Sequence, residues 1–129
     1  KGPELRKYRL DLIREASCGN ETFVLDEDFE IEAYAAESFG VWHDPEQLAE
    51  VVWRFLPEAA ARAEEFVFHP HQVAEYAEDG SLIVRFTTSG WNEMTWYLYQ
   101  WGDKVEVLAP PELAAMVEGY QRSDIKALP

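Results

Sequence analysis

Residues 72–88 read QVAEYAEDGSLIVRFTT, and this stretch predicts a β-hairpin. Two β-prone runs flank the Asp-Gly pair at positions 79–80, a dipeptide that often forms the tight turn between antiparallel strands. In the second run, every other residue is apolar at Leu82, Val84 and Phe86, so one face of this strand is predicted to be buried. An antiparallel sheet is therefore the expected centre of the fold.

Periodic segments on both sides of the hairpin extend the sheet and cover it. Period-two alternation predicts strands over residues 48–56 and 104–108. Helical spacing predicts helices over 57–65 and 92–101, and a last helix after residue 110. The resulting order is β-α-β-β-α-β, followed by a helix. This order is typical of a ferredoxin-like sandwich, in which two helices cover one face of a four-stranded antiparallel sheet.

Three side chains carry specific structural predictions. Trp53 and Phe86 are expected on the buried face of the sheet, because both lie in phase with the apolar positions of alternating strands. Asn92 is expected to cap the helix over residues 92–101, because asparagine is a favoured N-cap residue.

Two further segments precede the sheet. Residues 5–16 alternate imperfectly between apolar and charged side chains, which predicts a half-buried strand. Residues 26–37 contain six acidic residues and no basic one, which predicts an acidic linker helix followed by a hinge. The predicted fold class is α+β. It is a ferredoxin-like βαββαβ sandwich with an antiparallel sheet, preceded by a strand and an acidic linker helix and followed by a C-terminal helix.

The charge of the chain limits the partners it can bind. Its 129 residues include 11 Lys plus Arg and 25 Asp plus Glu, so the net charge is −14. This excess argues against broad electrostatic binding to a nucleic-acid backbone or to an anionic membrane. Residues 1–14 differ, since five basic and two acidic residues give them +3 and leave −17 for the remainder. The sequence also has no initiator Met, so we expect this chain to be a piece of a longer protein.

The single cysteine, Cys18, excludes an internal disulfide framework and a cysteine-based zinc cluster. Since no histidine is close to it in the sequence, Cys18 is expected to be a small buried apolar residue. No apolar run approaches the ~18 residues that a membrane-spanning helix needs. Together these features predict a cytoplasmic protein.

Few residues could carry chemistry, and no catalytic residue, cofactor or metal site is predicted. His69 and His71 share a loop and could reach one metal ion, but such a site needs a third ligand. The other interpretation is that His69 caps backbone groups. His43 beside Asp44 could form an acid–base pair, although it is more typical of a structural hinge. A small enzyme or metal-binding protein using these histidines stays an alternative, as does an acidic protein that mimics DNA.

Aromatic residues crowd the predicted helix over residues 92–101. Aromatic side chains at helical spacing most often belong to the core, and a contact surface for another chain is the second interpretation. The candidates for such an interface are Trp91, Trp96, Tyr97 and Tyr99.

Two stretches resemble a known family. Residues 5–13, LRKYRLDLI, resemble the final strand of a WYL domain, an Sm-like β-barrel of bacterial transcription regulators. Residues 105–113, VEVLAPPEL, resemble the C-terminal extension of that domain, which is ferredoxin-like. The resemblance implies three parts: the terminal strand or strands of a truncated barrel over 1–25, an acidic linker helix and hinge over 26–45, and the extension over 46–129.

The resemblance implies regulation and not catalysis. In such regulators the extension is associated with dimerisation, and with coupling effector sensing by the WYL barrel to a helix-turn-helix domain that binds DNA. The effector would be a nucleotide or nucleic acid, and the matching ligand positions are Arg6, Tyr8 and Arg9. Leu12 departs from the family pattern, which usually has Arg there. The implied assembly is a homodimer that reaches DNA only through the helix-turn-helix domain.

Overall fold

The computed structural model describes residues 5–122 and 128–129. The chain divides into two compact units, Lys1–Glu30 and Ile31–Pro129. In the described part of the first unit, the backbone forms one 3-10 turn at Leu10–Leu12 and no strand. The strand predicted over residues 5–16 is therefore not present. A strand needs a hydrogen-bonded neighbour, and the described residues of this unit do not supply one.

The described part of the second unit contains four α-helices and four strands. They are α1 Ile31–Ala36, β1 Ala49–Phe55, α2 Pro57–Glu64, β2 Val73–Tyr76, β3 Leu82–Thr88, α3 Trp91–Tyr99, β4 Val105–Ala109 and α4 Pro111–Glu118. Over the described residues of the chain, no helix is both long enough and apolar enough to cross a membrane.

The four strands form one sheet in the order β2-β3-β1-β4, and every neighbouring pair is antiparallel. In the β1–β3 pair, Val51 lies opposite Phe86 and Trp53 lies opposite Val84, so these four side chains share one face. Helix α2 connects β1 to β2, and α3 connects β3 to β4. The α+β class with an antiparallel sheet is confirmed, and the more detailed ferredoxin-like assignment stays a prediction.

One face of this sheet carries the hydrophobic core. Trp53 is fully buried and Phe86 is 4% exposed, so the prediction that both are core residues is confirmed. Their rings meet edge to face with centroids 4.9 Å apart, a geometry that the aromatic quadrupole favours. The helices add small and apolar side chains to the same core, namely Ala59, Ala60 and Ala63 from α2 and Met94 and Leu98 from α3.

The acidic linker helix is shorter than the predicted range of 26–37. The structure has a helix only from Ile31, because Asp26 closes a separate turn before it. The Asp26 side chain accepts the N–H of Asp28 at 3.1 Å, and the Asp26 carbonyl accepts the N–H of Phe29 at 3.2 Å. An aspartate that bonds to its own neighbouring backbone competes with helix formation.

The segment after α1 is tied to the end of β3. Ser89 donates its backbone N–H to the carbonyl of Glu37 at 2.9 Å and accepts the N–H of Phe39 at 2.9 Å. Ser38 and Ser89 form an isolated parallel bridge at the same point. These bonds fix the path of the linker beside the sheet and lead it toward the start of α3.

Helix α3 does not begin as predicted. The residue that precedes it is Gly90, at a φ of 95°, and not Asn92, which lies inside the helix. A positive φ favours glycine because a Cβ would collide with the backbone. The Gln47 side-chain carbonyl accepts the N–H of Trp91 at 3.1 Å, so it satisfies a donor that a capping side chain would otherwise take.

Candidate interaction surface

The aromatic side chains of α3 fall on two sides of the helix. Trp91 and Tyr97 are partly buried and pack against the core, and burial raises the pKa of Tyr97. Trp96 is 66% exposed and Tyr99 is 37% exposed. The four predicted interface residues are therefore divided into two that support the core and two that face outward, and their role in an interface stays a prediction.

The exposed aromatic surface continues beyond the end of α3. Tyr99 stacks on Tyr120, which follows α4, with ring centroids 4.7 Å apart and an angle of 29° between the planes. Tyr120 is itself 47% exposed. Because Trp96 and Tyr99 are three residues apart on one helix, their side chains lie on neighbouring positions of the same face. The three rings therefore follow one another along this side of the unit.

A further exposed tryptophan, Trp42, lies near the start of α3, where the side chain of Glu93 binds its backbone. One Glu93 carboxylate oxygen accepts the N–H of Val41 and the other accepts the N–H of Trp42, both at 3.0 Å. Trp42 is 69% exposed, so the bonds hold its backbone and leave its ring outside. We refer to these two bonds as the Glu93 clasp, and to Trp42, Trp96, Tyr99 and Tyr120 as the aromatic stripe.

Two glycines, Gly40 and Gly90, lie next to the Glu93 clasp. A Cβ at Gly40 would lie 2.5 Å from a carboxylate oxygen of Glu93, so any larger residue there would displace that carboxylate. A Cβ at Gly90 would lie 3.4 Å from the carbonyl oxygen of Trp42. The close approach of the linker to the start of α3 therefore depends on glycine at position 40, whereas 3.4 Å is an ordinary contact distance and glycine at position 90 is favoured by its φ of 95°.

The histidines occupy structural positions. His69 is buried, its ring stacks on Phe86 with centroids 5.3 Å apart, and its Nε2 lies 2.7 Å from the carbonyl oxygen of Ala36. Since a carbonyl can only accept, Nε2 carries the proton, and Nδ1 accepts the N–H of His71 at 3.1 Å. Both ring nitrogens are thus occupied by the backbone. The interpretation of His69 as a residue that caps backbone groups is confirmed.

His43 does not pair with Asp44. Its Nδ1 lies 3.3 Å from the hydroxyl of Ser38, and its Nε2 lies 3.6 Å from a carboxylate oxygen of Glu37. The Asp44 side chain instead accepts the N–H of Glu46 at 3.0 Å and so caps a short turn. Among the residues that the structure describes, no group of three or more His, Cys, Asp or Glu could hold a metal ion.

The proposed ligand positions all lie in the first unit. Arg6, Tyr8 and Arg9 are exposed, and Arg9 forms a two-point ion pair with Asp11. Their assignment as ligand contacts stays a prediction. Cys18 is exposed, so the expectation that it is buried is wrong. The unit in which it lies has no packed core among its described residues that could cover the thiol.

Sequence reasoning missed Trp42 and Glu93 as parts of this surface. They lie 51 residues apart in the chain and meet only because the linker runs along β3 to the start of α3. The available local signal was the pair of glycines, Gly40 two residues before Trp42 and Gly90 three residues before Glu93. Neither glycine by itself indicates which segment approaches it.

Comparisons with known proteins locate the second unit in a family. A family model described as the WCX domain matches residues 47–120, which include all four strands. No curated protein matches the chain. Among solved structures, Proteasome accessory factor B/C (PafBC) of Arthrobacter aurescens is similar with a TM-score of 0.42 and 20% sequence identity. That match covers 75% of this chain and 14% of the other, so this chain spans a small part of that protein.

Proposed function

The chain belongs to the family of WCX domains, which are the C-terminal domains of WYL-family regulators, and we propose that it is a non-catalytic regulatory and oligomerisation module. In this proposal the module couples effector sensing by a WYL barrel to a DNA-binding domain elsewhere in the regulator. The protein works in the cytoplasm as a homodimer and reaches DNA only through that other domain.

One observation carries this proposal: the WCX match spans residues 47–120, and the same residues form the sheet and bear most of the aromatic stripe. Trp and Tyr side chains are enriched at protein–protein interfaces, so the outward-facing rings of Trp96 and Tyr99 support this proposal. The backbone bonds of His69 support a structural role for the residue that was the strongest catalytic or metal-binding candidate.

Self-association is the first part of the proposal that can be measured. We assign it to the aromatic residues of α3, Trp91, Trp96, Tyr97 and Tyr99. In this assignment the exposed rings of Trp96 and Tyr99 make the contact, and the partly buried rings of Trp91 and Tyr97 hold the helix in place.

The experiment uses a fusion of this chain to a monomeric winged helix-turn-helix domain whose DNA half-site is known. Binding is measured by fluorescence anisotropy on DNA with one half-site and on DNA with two. We expect the fusion to bind two half-sites cooperatively, with affinity for one half-site equal to that of the DNA-binding domain alone. Equal affinity of the fusion for both DNAs would contradict an oligomerisation module.

The effector part of the proposal concerns Arg6, Tyr8 and Arg9. Two arginines close in sequence to a tyrosine suit phosphate contacts combined with base stacking, as in nucleotide and nucleic-acid ligands. Anisotropy of a labelled single-stranded oligonucleotide tests it on the chain and on its Arg6→Ala and Arg9→Ala variants, with Arg14→Ala as the charge-matched control. We expect Arg6→Ala and Arg9→Ala to weaken binding and Arg14→Ala to leave it unchanged. Equal binding by all three variants would contradict the assignment.

A further inference from the structure

We propose that a cavity beside β3 binds a small molecule that carries two ammonium groups and one carboxylate, as a diamino acid does. The charged residues that would recognise it are Arg85 on β3, Glu50 on β1 and Glu75 on β2. This inference goes beyond the proposed function. It concerns a different part of the second unit from the aromatic residues of α3, and it does not depend on self-association.

The cavity has the size of a small-molecule site. Its volume is about 670 Å³, and it is lined by residues of α1, β1, β2 and β3 and of the loop before β2. Sites for small molecules commonly measure roughly 300–1,000 Å³ and combine apolar walls with a few polar groups. Here Ala33, Leu48 and Val73 supply apolar wall, and charged side chains supply the polar groups.

The cavity forms where β2 ends before β3 does. Strand β2 begins at Val73, which lies opposite Arg85, so β2 has no residue opposite Thr87. Two residues further on, the backbone of Ser89 pairs with the linker. Because alternate residues of a strand direct their N–H and C=O groups to the same side, the backbone of Thr87 faces the gap between β2 and the linker. His71, which would follow in register, gives its N–H to its own loop.

The three charged groups on the sheet are close together and are not paired with one another. In the strand register, Arg85 is diagonal to Glu50 on one side and to Glu75 on the other, a separation of about 7–8 Å in an antiparallel sheet. Among residues 5–122, no ion pair or side-chain hydrogen bond involves any of the three. Arg54, on the same face, is instead held by two carboxylates. Arg85, Glu50 and Glu75 therefore keep their charges available to a ligand.

The balance of charge specifies the ligand. Three carboxylates, those of Glu37, Glu50 and Glu75, line the cavity with one guanidinium, so these groups sum to −2 and favour a ligand with net positive charge. A ligand with ammonium groups alone would leave the guanidinium of Arg85 without a partner. A carboxylate can accept two parallel N–H bonds from that guanidinium. A diamino acid, which carries two ammonium groups and one carboxylate, meets both requirements.

The apolar wall accounts for the chain that joins these groups. Leu48 is 42% exposed and Val73 is 55% exposed, and both line the cavity. Methylene groups placed against them would remove apolar surface from water on both partners. A diamino acid with a methylene chain between its two ammonium groups, such as lysine, is therefore the form of ligand that we test.

The first experiment is an NMR titration of the full chain at about 0.15 M salt with three probes of matched length. L-Lysine carries all three groups, L-norleucine lacks the second ammonium, and cadaverine lacks the carboxylate. We expect L-lysine to shift the amide resonances of Arg85, Thr87 and His71 saturably, and to bind at least tenfold more tightly than either of the other probes.

The comparison with cadaverine separates recognition from general attraction. A chain with a net charge of −14 attracts a dication more strongly than a monocation. If only this general field acts, cadaverine binds more tightly than L-lysine. Tighter binding of L-lysine therefore requires a partner for its carboxylate, which we assign to Arg85.

The second experiment repeats the titration with single variants. Arg85→Gln is expected to weaken L-lysine at least fivefold without weakening cadaverine, because only L-lysine carries the carboxylate. Glu50→Gln and Glu75→Gln are each expected to weaken both probes. The matched control is Glu112→Gln on α4, an exposed carboxylate that does not line the cavity, and it should change neither affinity. Thermal unfolding of each variant at the parent's temperature shows that its fold is kept.

Three results would overturn the site. They are the absence of saturable shifts with L-lysine up to about 10 mM, tighter binding of cadaverine than of L-lysine, and equal affinities of Arg85→Gln and the parent chain for L-lysine. Sedimentation equilibrium of the same samples reports self-association separately. A failure of this site and a failure of the oligomerisation module are therefore distinguishable.

Discussion

Trp53 lies at the centre of the core, where its ring meets those of Phe39, Phe68 and Phe86 at centroid distances of 4.9–5.7 Å. Replacing it with alanine removes all of these contacts and leaves a cavity that a sheet cannot close. We expect Trp53→Ala to lower the free energy of unfolding by about 3–5 kcal/mol, measured by urea denaturation.

The matched control for that variant is Trp42→Ala, studied at low protein concentration. Its ring is 69% exposed, so the same chemical change should alter the free energy of unfolding by less than about 0.5 kcal/mol. If Trp53→Ala costs less than about 1 kcal/mol, the assignment of the inner face of β1 is wrong.

Asp79, in the turn between β2 and β3, links stability to pH. The hydroxyl and backbone N–H of Ser81 both donate to this carboxylate and lower its pKa to about 2, with a further contribution from Arg54 at 2.5 Å. Because the folded pKa lies below the unfolded value of about 3.9, the stabilisation is complete above that value and is lost as the pH falls through about 2.

Asp79→Asn should therefore be less stable than the parent chain near neutral pH, and this difference should shrink as the pH falls from about 5 toward 2. Urea denaturation at several pH values measures the difference. Glu78→Gln, in the same turn, is the control that removes one charge without breaking these bonds. A difference between Asp79→Asn and the parent that stays constant over this range would contradict the account.

Local patterns in the sequence predicted some of these residues and could not predict others. Trp53 and Phe86 were found because period-two alternation is a property of neighbouring residues. The contact of Glu93 with Trp42 joins positions 51 residues apart, and its geometry depends on the path of the linker along β3. Half of the stripe, Trp96 and Tyr99, could be identified from helical spacing, and the other half could not.

Among the elements, β3 was predicted as the second strand of the hairpin over residues 72–88, because the turn at 79–80 and the apolar alternation of its own residues specify it. The first predicted strand failed for the opposite reason. Alternation over residues 5–16 describes a strand only if a neighbour completes its hydrogen bonds, and a sequence pattern does not show whether that neighbour is present. The start of α3 was missed because Gln47, distant in sequence, satisfies the N–H of Trp91.

The junction between the linker and β3 gives a prediction about how elements are joined. The Ser89 hydroxyl donates to the carbonyl of Glu37 at 2.6 Å and accepts the N–H of Asp44 at 3.3 Å, and the residue is fully buried. Ser89→Ala leaves both partners without these bonds. We expect a loss of about 1–3 kcal/mol in unfolding free energy and faster hydrogen exchange at the amide of Phe39.

The comparison for Ser89→Ala is Thr87→Val, which removes a hydroxyl from an exposed position of β3, two residues before Ser89. That change should stay within about 0.5 kcal/mol. Equal effects of the two substitutions, or unchanged exchange at Phe39, would show that the linker is not held to the sheet by Ser89.

For the molecule as a whole, charge and apolar surface act in opposite directions. A net charge of −14 repels like chains, and this repulsion acts over a distance that salt shortens to roughly 8 Å at 0.15 M. The attraction proposed for the aromatic residues of α3 comes from removing apolar surface from water, which salt does not weaken. An interface built on ion pairs would show the reverse dependence on salt.

Sedimentation equilibrium of the parent chain at about 0.05 M and 0.5 M salt therefore tests the central claim, that this WCX domain is an oligomerisation module held by aromatic contacts. We predict a dimer whose dissociation constant falls as the salt concentration rises. A monomer at about 100 μM under both conditions would contradict the oligomerisation module. A dimer that weakens with salt would contradict the aromatic mechanism.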